Sequence, residues 1–250
     1  MSEPPPPERT FRVVLEYDGK AFEGWQAQSG PRPARTVQAV LAQAVDSITR
    51  ARVSIRGAGR TDAGVHAMAQ VASFRLATAI EPAALLRALN ARLPRDVAVR
   101  AIDEVPAGWD ALREARAKLY RYWIWNGAIR SPLRADRWSW VREPLDLEAM
   151  DRAARLLEGR HDFAAFRAAG SSVRTTTRTL SRLEVGGESG GEVWIEALGE
   201  GFLRHMVRNL AGTLIEIGRG RWPAERAEEI LASRDRGQAG PTASAQGLVL

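Results

Sequence analysis

The sequence predicts an α+β protein made of two similar halves, with a mostly antiparallel sheet. Each half runs strand, helix, strands, helix. Each half also begins with a strand that ends at a two-residue turn sequence, Asp-Gly in "TFRVVLEYDG" (10–19) and Asn-Gly in "KLYRYWIWNG" (118–127). Hairpins separate the helices in place of strict β-α-β alternation, which favours antiparallel pairing. We predict a proline-rich disordered tail over residues 1–9, a first half over 10–107 and a second half over 108–250.

In the first half, the clearest element is a helix over 36–50. Thr36 stands at the N-cap position, and an apolar residue follows at every third or fourth position: Val37, Val40, Leu41, Ala44, Val45 and Ile48. A strand at 53–56, a glycine-rich loop and a strand at about 68–75 follow. A helix over 81–94, with Pro82 in its first turn, and a strand over 96–106 complete this half.

The second half repeats this order. Asp146 caps a helix over 146–159 that Gly159 ends, and "GGESGG" joins "TLSRLEV" (179–185) to "EVWIEALG" (192–199) in a hairpin. One apolar stripe marks a helix over 202–218: Leu203, Met206, Val207, Leu210, Leu214 and Ile217. A last helix is predicted over 223–233.

Charge and composition narrow the possible partners. The chain has 36 basic and 30 acidic residues, and only Lys20 and Lys118 are lysines, so 34 of the basic residues are arginines. Arginine binds phosphate bidentately and stacks on bases, which suits a nucleic-acid partner; a GC-rich genome is the alternative reason for this bias. The absence of cysteine excludes disulfides and thiolate sites. No segment has the roughly 20 apolar residues of a membrane span, so we expect a cytoplasmic protein without membrane contact.

The glycine-rich loop in "VSIRGAGRTDAGVHAMAQVASF" (53–74) does not match the phosphate-binding motifs. Asp62 occupies the third glycine position of G-x-G-x-x-G. Gly59 and Gly64 have P-loop spacing, but no lysine follows them. The three histidines lie far apart without an H-E-x-x-H motif. We therefore predict neither a nucleotide cofactor nor a metal.

Asp62 is the single carboxylate of this loop, and glycines and Arg60 surround it. A nearby guanidinium favours an ionised carboxylate, which can act as a nucleophile or stabilise a developing sugar cation. The alternative is that Asp62 only closes a turn or pairs with Arg60.

Two further positions allow two readings each. Strand alternation places Tyr120 on the face opposite Trp123, where it either packs in the core or stacks on an extruded base. Arg208 flanks the apolar stripe of the 202–218 helix, where it is either solvated or reaches a carboxylate.

The string "GAGRTDAGVHA" resembles the active-site motif of the tRNA pseudouridine synthase A family. Further blocks resemble the family in the same order along the chain: "LEYDGKAFEGWQAQ" (15–28), "TVQAVL" (36–41), "ALNARLPRDVAVR" (88–100), "KLYRYWIWN" (118–126), "GRHDFAAFR" (159–167), "FLRHMVRNLAGTL" (202–214) and "GLVL" (247–250). One departure lies at Trp109–Arg113. There the family shows an aromatic residue, His or Asp, and then Ala-Arg-Phe, so the arginine is displaced by one position.

The resemblance implies the pseudouridine synthase fold, with two halves that share a central, mostly antiparallel sheet and flank a basic cleft. It implies an enzyme, a homodimer, that isomerises uridine to pseudouridine at positions 38, 39 and 40 in the anticodon stem-loop of tRNA without a cofactor. By the same resemblance, Asp62 is the catalytic aspartate and Arg60 the motif arginine. Tyr120 stacks on the target uracil, and Arg208 pairs with the aspartate.

Three alternatives stay open at this point. The first is a pseudouridine synthase with a different RNA or position preference. The second is an RNA-binding module without catalysis, and the third is a nucleotide-binding protein.

Overall fold

The computed structural model describes residues 6–28, 34–168, 170 and 173–250. The chain divides into two compact units, Met1–Ala115 with Leu250, and Arg116–Val249. Of the predicted tail, residues 1–5 lie outside the described residues, while Glu8 and Arg9 already belong to the first strand. The division falls after Ala115 and not after residue 107. The Ala111 N–H donates to Ser73 Oγ at 3.1 Å and so holds this segment to the first unit.

The first unit contains a four-stranded antiparallel sheet in the order β2-β3-β1-β4. Its elements are β1 (Glu8–Tyr17), α1 (Val37–Thr49), β2 (Arg56–Gly57), β3 (Ala67–Ala77), α2 (Pro82–Arg92), β4 (Val97–Val105) and α3 (Ala111–Glu114).

The core of the first unit lies between one face of the sheet and helices α1 and α2. Alternate residues of β1 are buried there: Phe11, Val13, Leu15 and Tyr17. They share one apolar cluster with Leu41 of α1 and with Leu85 and Leu89 of α2. Each such side chain contributes roughly 1.5–3 kcal/mol when it leaves water, so this layer positions the strands and the loops between them.

The opposite face of this sheet is polar. Thr10 of β1 lies across from Arg75 of β3, and Ser73 of β3 lies across from both Arg12 and Arg56. Directly opposed residues of antiparallel strands point to the same side of a sheet. These side chains therefore form one surface on the side away from α1 and α2.

The second unit contains a sheet in the order β10-β5-β9-β8-β7, to which β6 adds as a parallel partner of β5. Its elements are β5 (Lys118–Trp125), β6 (Ser139–Trp140), α4 (Leu147–Leu156), β7 (Gly159–Asp162), β8 (Thr177–Gly187), β9 (Glu192–Gly199), α5 (Met206–Gly218), α6 (Arg226–Ser233) and β10 (Leu248–Val249). None of the helices in the described parts of the chain has the length and apolar composition that crossing a membrane requires.

The faces of β5 are those that alternation predicted. Tyr120, Tyr122 and Ile124 are buried on one face, whereas Trp123 and Trp125 are half-buried on the other. Helices α4 and α5 pack closely at Gly218 of α5. A Cβ at this position would collide with the side chain of Met150 in α4.

The predicted fold class, mixed α/β with mostly antiparallel strands, is confirmed. The strands of the described residues are arranged in a four-stranded and a six-stranded sheet. Helix α5 starts at Met206 and not at Phe202, because His205 has φ 59° and interrupts helical geometry. The strand expected at 53–56 is only Arg56–Gly57. The short elements α3, β6, β7 and β10 were not predicted.

Candidate active site

Asp62 lies in the loop between β2 and β3, residues 58–66, which we call the Asp62 loop. The neighbouring Thr61 is held on two sides. Its carbonyl accepts the N–H of Trp25 at 3.1 Å, and its Oγ1 lies 2.8 Å from the Tyr17 hydroxyl. Gln70 of β3 donates from Nε2 to the Gly59 carbonyl at 2.9 Å. Side chains from β1 and β3 therefore fix the backbone just before Asp62.

The Tyr17 hydroxyl that supports the loop stays protonated. Tyr17 is 3% exposed, and burial raises its pKa to about 12 while its hydrogen bond to Thr61 acts in the opposite direction. The neutral phenol is the form that can both donate and accept a hydrogen bond. The contact with Thr61 therefore persists across the physiological pH range.

Two glycines let the segment after β1 lie against the Asp62 loop. Gly24 has φ +92°, and a Cβ there would lie 2.6 Å from the Thr61 carbonyl oxygen. A Cβ on Gly19 would overlap with the Val65 carbonyl. Only glycine permits both approaches, because real Cβ atoms do not come this close to backbone atoms.

His66 closes the end of the loop. Its Nδ1 accepts the N–H of Gly19 at 3.1 Å, and Asp18 Oδ1 lies at the same distance. A neutral imidazole uses Nδ1 for the first contact, and a protonated one pairs with the carboxylate. In both states His66 joins the loop to the turn after β1.

Arg60 and Asp62 share this loop but differ in their surroundings. Arg60 is exposed, and Asp62 is partly buried. The loop therefore exposes Arg60 to solvent more than Asp62.

Tyr120 and Arg208 both belong to the second unit. Tyr120 is 6% exposed and packs edge-to-face on Phe202, with ring centroids 5.1 Å apart and an interplanar angle of 85°. On the same face of β5, burial raises the pKa of Tyr122, and the charge of Arg208 opposes this rise. Tyr120 and Arg208 therefore lie on the same side of β5.

Arg208 is held by the segment that crosses α5, residues 239–243, which we call the crossing segment. Its Nε donates to the Ala243 carbonyl at 2.7 Å, and the Ala243 N–H donates to the Arg208 carbonyl at 3.0 Å. A Cβ on Gly212 would overlap with the Pro241 carbonyl, so the crossing segment lies directly on the helix. The first hydrogen bond restricts the rotamers of Arg208, and the second joins the backbone of the crossing segment to α5.

Asn209 anchors the crossing segment from inside the unit. It is fully buried, and its Oδ1 accepts from Thr242 Oγ1 at 2.6 Å and from Arg236 Nη2 at 3.1 Å. Its Nδ2 donates to the Phe166 carbonyl at 2.8 Å. A buried amide with all these partners specifies one arrangement of the surrounding chain.

The two halves of the chain match one family model. A model described as tRNA pseudouridine synthase matches residues 13–111 and 153–250, which include the Asp62 loop and all of α5.

The chain belongs to the tRNA pseudouridine synthase family.

Similar proteins support this over nearly the whole length. The chain is 48% identical to "tRNA pseudouridine synthase A" of Myxococcus xanthus, over 96% of this chain and 89% of that one. It is 45% identical to the protein of that name from Pelobacter propionicus, over 97% and 98%. A solved Cbf5–Nop10–Gar1 complex matches at 16% identity with a TM-score of 0.36, over 82% of this chain and 45% of that one, which is too low to bear on the fold.

Membership of this family confirms the resemblance inferred from the motifs, and with it the reaction class. The reaction is the isomerisation of uridine to pseudouridine in tRNA. Within the described ranges, no three His, Asp or Glu side chains lie close enough together to hold a metal ion.

The residues that support the site were not identified from the sequence. Tyr17, Gln70 and Asn209 are buried polar residues that hold the backbone next to Asp62 or Arg208. One signal was present for Gln70, because it is a polar residue on the inward face of β3, whose next inward positions are the apolar Ala72, Phe74 and Leu76. Such a position requires a hydrogen-bond partner, although the pattern does not say which.

Proposed function

We propose that this chain converts uridine to pseudouridine at positions 38, 39 and 40 of the tRNA anticodon stem-loop, with Asp62 as the catalytic carboxylate and without a cofactor. The observation that carries the proposal is the support of the Asp62 loop. Asp62 follows a residue held by Tyr17 and Trp25, within a motif of the family to which the chain belongs.

The reaction needs one carboxylate. The bond from uracil N1 to ribose C1′ breaks, the base rotates, and C5 bonds to C1′. C5 loses a proton and N1 gains one, so no co-reactant is consumed. Asp62 either attacks C1′ or accepts a proton from the sugar, and both roles require its ionised form. A second acid is unnecessary because the leaving base is retained and reattached.

The target uridine has to leave its stack, which costs a few kcal/mol. We assign Tyr120 to stack on the extruded uracil, and base–aromatic stacking offsets roughly 1–3 kcal/mol of that cost. The edge contact with Phe202 fixes the Tyr120 ring before the base arrives. A fixed ring loses little conformational freedom on binding.

The two arginines have electrostatic roles in this proposal. Arg208 takes the place of the family's helix arginine, whose positive charge favours an ionised aspartate. Its hydrogen bond to Ala243 leaves the terminal guanidinium nitrogens at a defined position. Arg60, at the motif arginine position, adds a second cation beside Asp62 in the sequence.

We further propose that the enzyme acts in the cytoplasm as a homodimer. Three large apolar side chains are exposed within one short segment of the second unit: Ile129 at 80%, Leu133 at 97% and Trp140 at 46%. Grouped apolar exposure of this kind is typical of protein–protein contact surfaces. A second copy of the chain is the occupant that the family resemblance indicates.

The test uses an unmodified tRNA transcript with uridines at positions 38, 39 and 40. Wild-type protein and Asp62→Asn are each incubated with it without added cofactor, and pseudouridine is mapped by chemical labelling and primer extension. Primer-extension stops at these positions in RNA treated with the wild type, but not in RNA treated with Asp62→Asn, support the proposal. Stops elsewhere contradict the assigned positions but not the chemistry. Tight tRNA binding without any modification by the wild type contradicts the enzymatic proposal.

A further inference from the structure

The first unit contains a cavity of about 490 Å³ on the polar side of its sheet. Its lining comes from β1, from the chain around β2, from β3 and from the segment around α3. None of the lining residues belongs to the Asp62 loop. The cavity is therefore a feature separate from the catalytic carboxylate.

Four arginines line this cavity, and we call it the arginine pocket. Arg52 and Arg56 come from the chain before and within β2, Arg75 from β3 and Arg113 from α3. The sheet register places Arg56 across from Ser73 and Arg75 across from Thr10, so both arginines point to the cavity side. Three separate parts of the chain thus bring positive charge to one place.

The acidic residues of the arginine pocket leave much of this charge without a close partner. Arg56 approaches Asp110 only to 3.5 Å, and Arg75 approaches Glu8 only to 3.6 Å. The other oxygen of Asp110, Oδ1, accepts the backbone N–H groups of Leu112 and Arg113. Across the described residues, neither Arg52 nor Arg113 makes an ion pair or a side-chain hydrogen bond.

Two arginines elsewhere on the same sheet have closer carboxylate partners, whereas Arg100 of β4 approaches Glu16 only to 3.5 Å. Arg9 binds Glu104 at 2.6 Å, and Arg12 binds Asp103 at 2.7 Å. Inside the pocket, Arg56 and Arg75 have longer ion pairs of 3.5 and 3.6 Å, and Arg52 and Arg113 add two further guanidiniums. Two carboxylates against four guanidiniums leave a local excess of two positive charges.

Hydroxyl groups and one aromatic ring complete the lining. Thr10, Ser54 and Ser73 add hydroxyls, and Ser73 retains its O–H for donation because its Oγ accepts the Ala111 N–H. Trp109 adds a partly buried indole. Guanidinium forks and hydroxyls are the usual donors to phosphate oxygens, and indole rings stack on bases.

We propose that the arginine pocket binds a backbone phosphate of the substrate RNA and thereby holds the tRNA at a place other than the catalytic loop. The inference rests on the proposed function for the identity of the polyanion. A phosphodiester brings the negative charge that the pocket lacks, and the RNA chain provides it without a separate ligand.

The test compares two double variants that each remove two positive charges. Arg52→Gln/Arg113→Gln alters the arginine pocket. Arg87→Gln/Arg92→Gln alters two exposed arginines of α2, which packs on the other side of the sheet, and is the matched control. Binding of the unmodified tRNA is measured over a range of salt concentrations, and circular dichroism melting confirms that each variant is folded.

We expect the pocket variant to bind tRNA more weakly and with a shallower salt dependence. The slope of log K against log salt decreases by roughly 0.7–0.9 for each phosphate contact that is lost. The control keeps the wild-type slope. Equal slopes in the two double variants overturn the proposal, because net charge alone then explains the effect.

A second variant tests the geometry of the pocket. Arg52→Lys/Arg113→Lys keeps both charges but removes the bidentate fork. We expect a raised KM for tRNA with an unchanged kcat. The proposed role of the pocket is contradicted if the Lys variant has the wild-type KM and the Gln variant binds tRNA as tightly as the wild type.

A titration with inorganic phosphate distinguishes the source of the anion. Millimolar or weaker binding of free phosphate, alongside the expected loss of tRNA affinity in the pocket variant, supports an RNA phosphate. Tight phosphate binding that the Gln variant loses, with tRNA affinity unchanged, identifies a small phosphate ligand and overturns the proposal. A wild-type protein that binds tRNA but makes no pseudouridine contradicts the proposed function only, since the salt slopes still test the pocket.

Discussion

The hydroxyl of Tyr17 lies 2.8 Å from Oγ1 of Thr61, the residue that precedes Asp62. The two residues are 44 positions apart in the chain, and Tyr17 is almost completely buried. The end of β1 therefore supports the backbone that carries Asp62, the carboxylate that we propose as catalytic. The hydrogen bond between Thr242 and Asn209 supports the segment that holds Arg208 in a similar way.

Tyr17→Phe removes this hydrogen bond while keeping the ring. A typical hydrogen bond contributes about 0.5–1.5 kcal/mol, so we expect kcat for pseudouridine formation to fall about 3- to 10-fold with KM for tRNA unchanged. Single-turnover kinetics on the unmodified transcript measure this. Ser47→Ala, which removes one hydrogen bond to the Ala44 carbonyl within α1, is the control. An equal loss of kcat in the control would show that the effect is not specific to the loop.

The same tyrosine makes stability depend on pH at the alkaline end. Its pKa is raised by burial from 10 to about 12 in the folded state, so its contribution is intact below about pH 10. It is lost as the pH rises towards 12, by roughly 2–3 kcal/mol at most. Urea unfolding at pH 9 and pH 11.5 should show a smaller alkaline loss of stability for Tyr17→Phe than for the wild type. Identical losses in the two proteins would contradict the assignment to Tyr17.

Thr242→Val tests the support of Arg208. The change keeps the shape but removes the hydroxyl that donates to Asn209 at 2.6 Å and lies 3.0 Å from Arg236 Nη2. We expect a decrease in kcat of about 10-fold, for a loss near 1.4 kcal/mol, with KM unchanged, because the crossing segment holds Arg208 less firmly. Thr49→Val also removes two local hydrogen bonds, at the end of α1, and should leave kcat unchanged. A rise in KM alone would exclude a positioning role for Thr242.

Gly24→Ala tests the close approach between the segment after β1 and the Asp62 loop. A Cβ at this position combines a positive φ with a 2.6 Å contact to the Thr61 carbonyl. We expect a loss of stability of about 1–3 kcal/mol or more and reduced activity. Gly190→Ala is the control, because Gly190 has a similar φ of +84° but a Cβ there would have no other atom within 4 Å. It therefore measures the conformational cost alone, and an equal loss in both variants would rule out steric contact as the cause.

Leu133→Ser tests the proposed homodimer surface. Leu133 is 97% exposed, and its burial in a dimer would contribute roughly 1.5–3 kcal/mol. We expect the variant to dissociate at protein concentrations about 10- to 100-fold above those of the wild type, by analytical ultracentrifugation. Leu112→Ser, an exposed leucine of the first unit, is the control. A dimer as stable as the wild type's would remove this segment from the interface.

Elements with strong local signals were predicted well. Helix α1 follows its apolar spacing, and Thr36 caps it by accepting the Ala39 N–H at 3.4 Å. Asp146 caps α4 in the same way at 2.9 Å. The long hairpin of β8 and β9 forms around the predicted glycine-rich turn. In each case the information lies within a few residues of the element itself.

Elements that depend on distant partners were missed. Strand β10 has two residues and exists because it pairs with Tyr122 and Arg121 of β5. Helix α3 has four residues, and a contact to Ser73 of β3 holds it in place. A segment this short has too little local preference to be predicted without its partner.

In the candidate site, too, local features were predicted from the sequence and features that depend on distant partners were not. The sequence by itself determined the family, the loop that carries Asp62 and the strand face of Tyr120, because motif and alternation are local properties. Only the tertiary structure decided that Tyr17 and Gln70 support that loop, that Asn209 anchors the segment holding Arg208, and that four arginines line one pocket. Hydrogen bonds and charge clusters join residues that are tens of positions apart, and their partners are selected by packing, which no local pattern records.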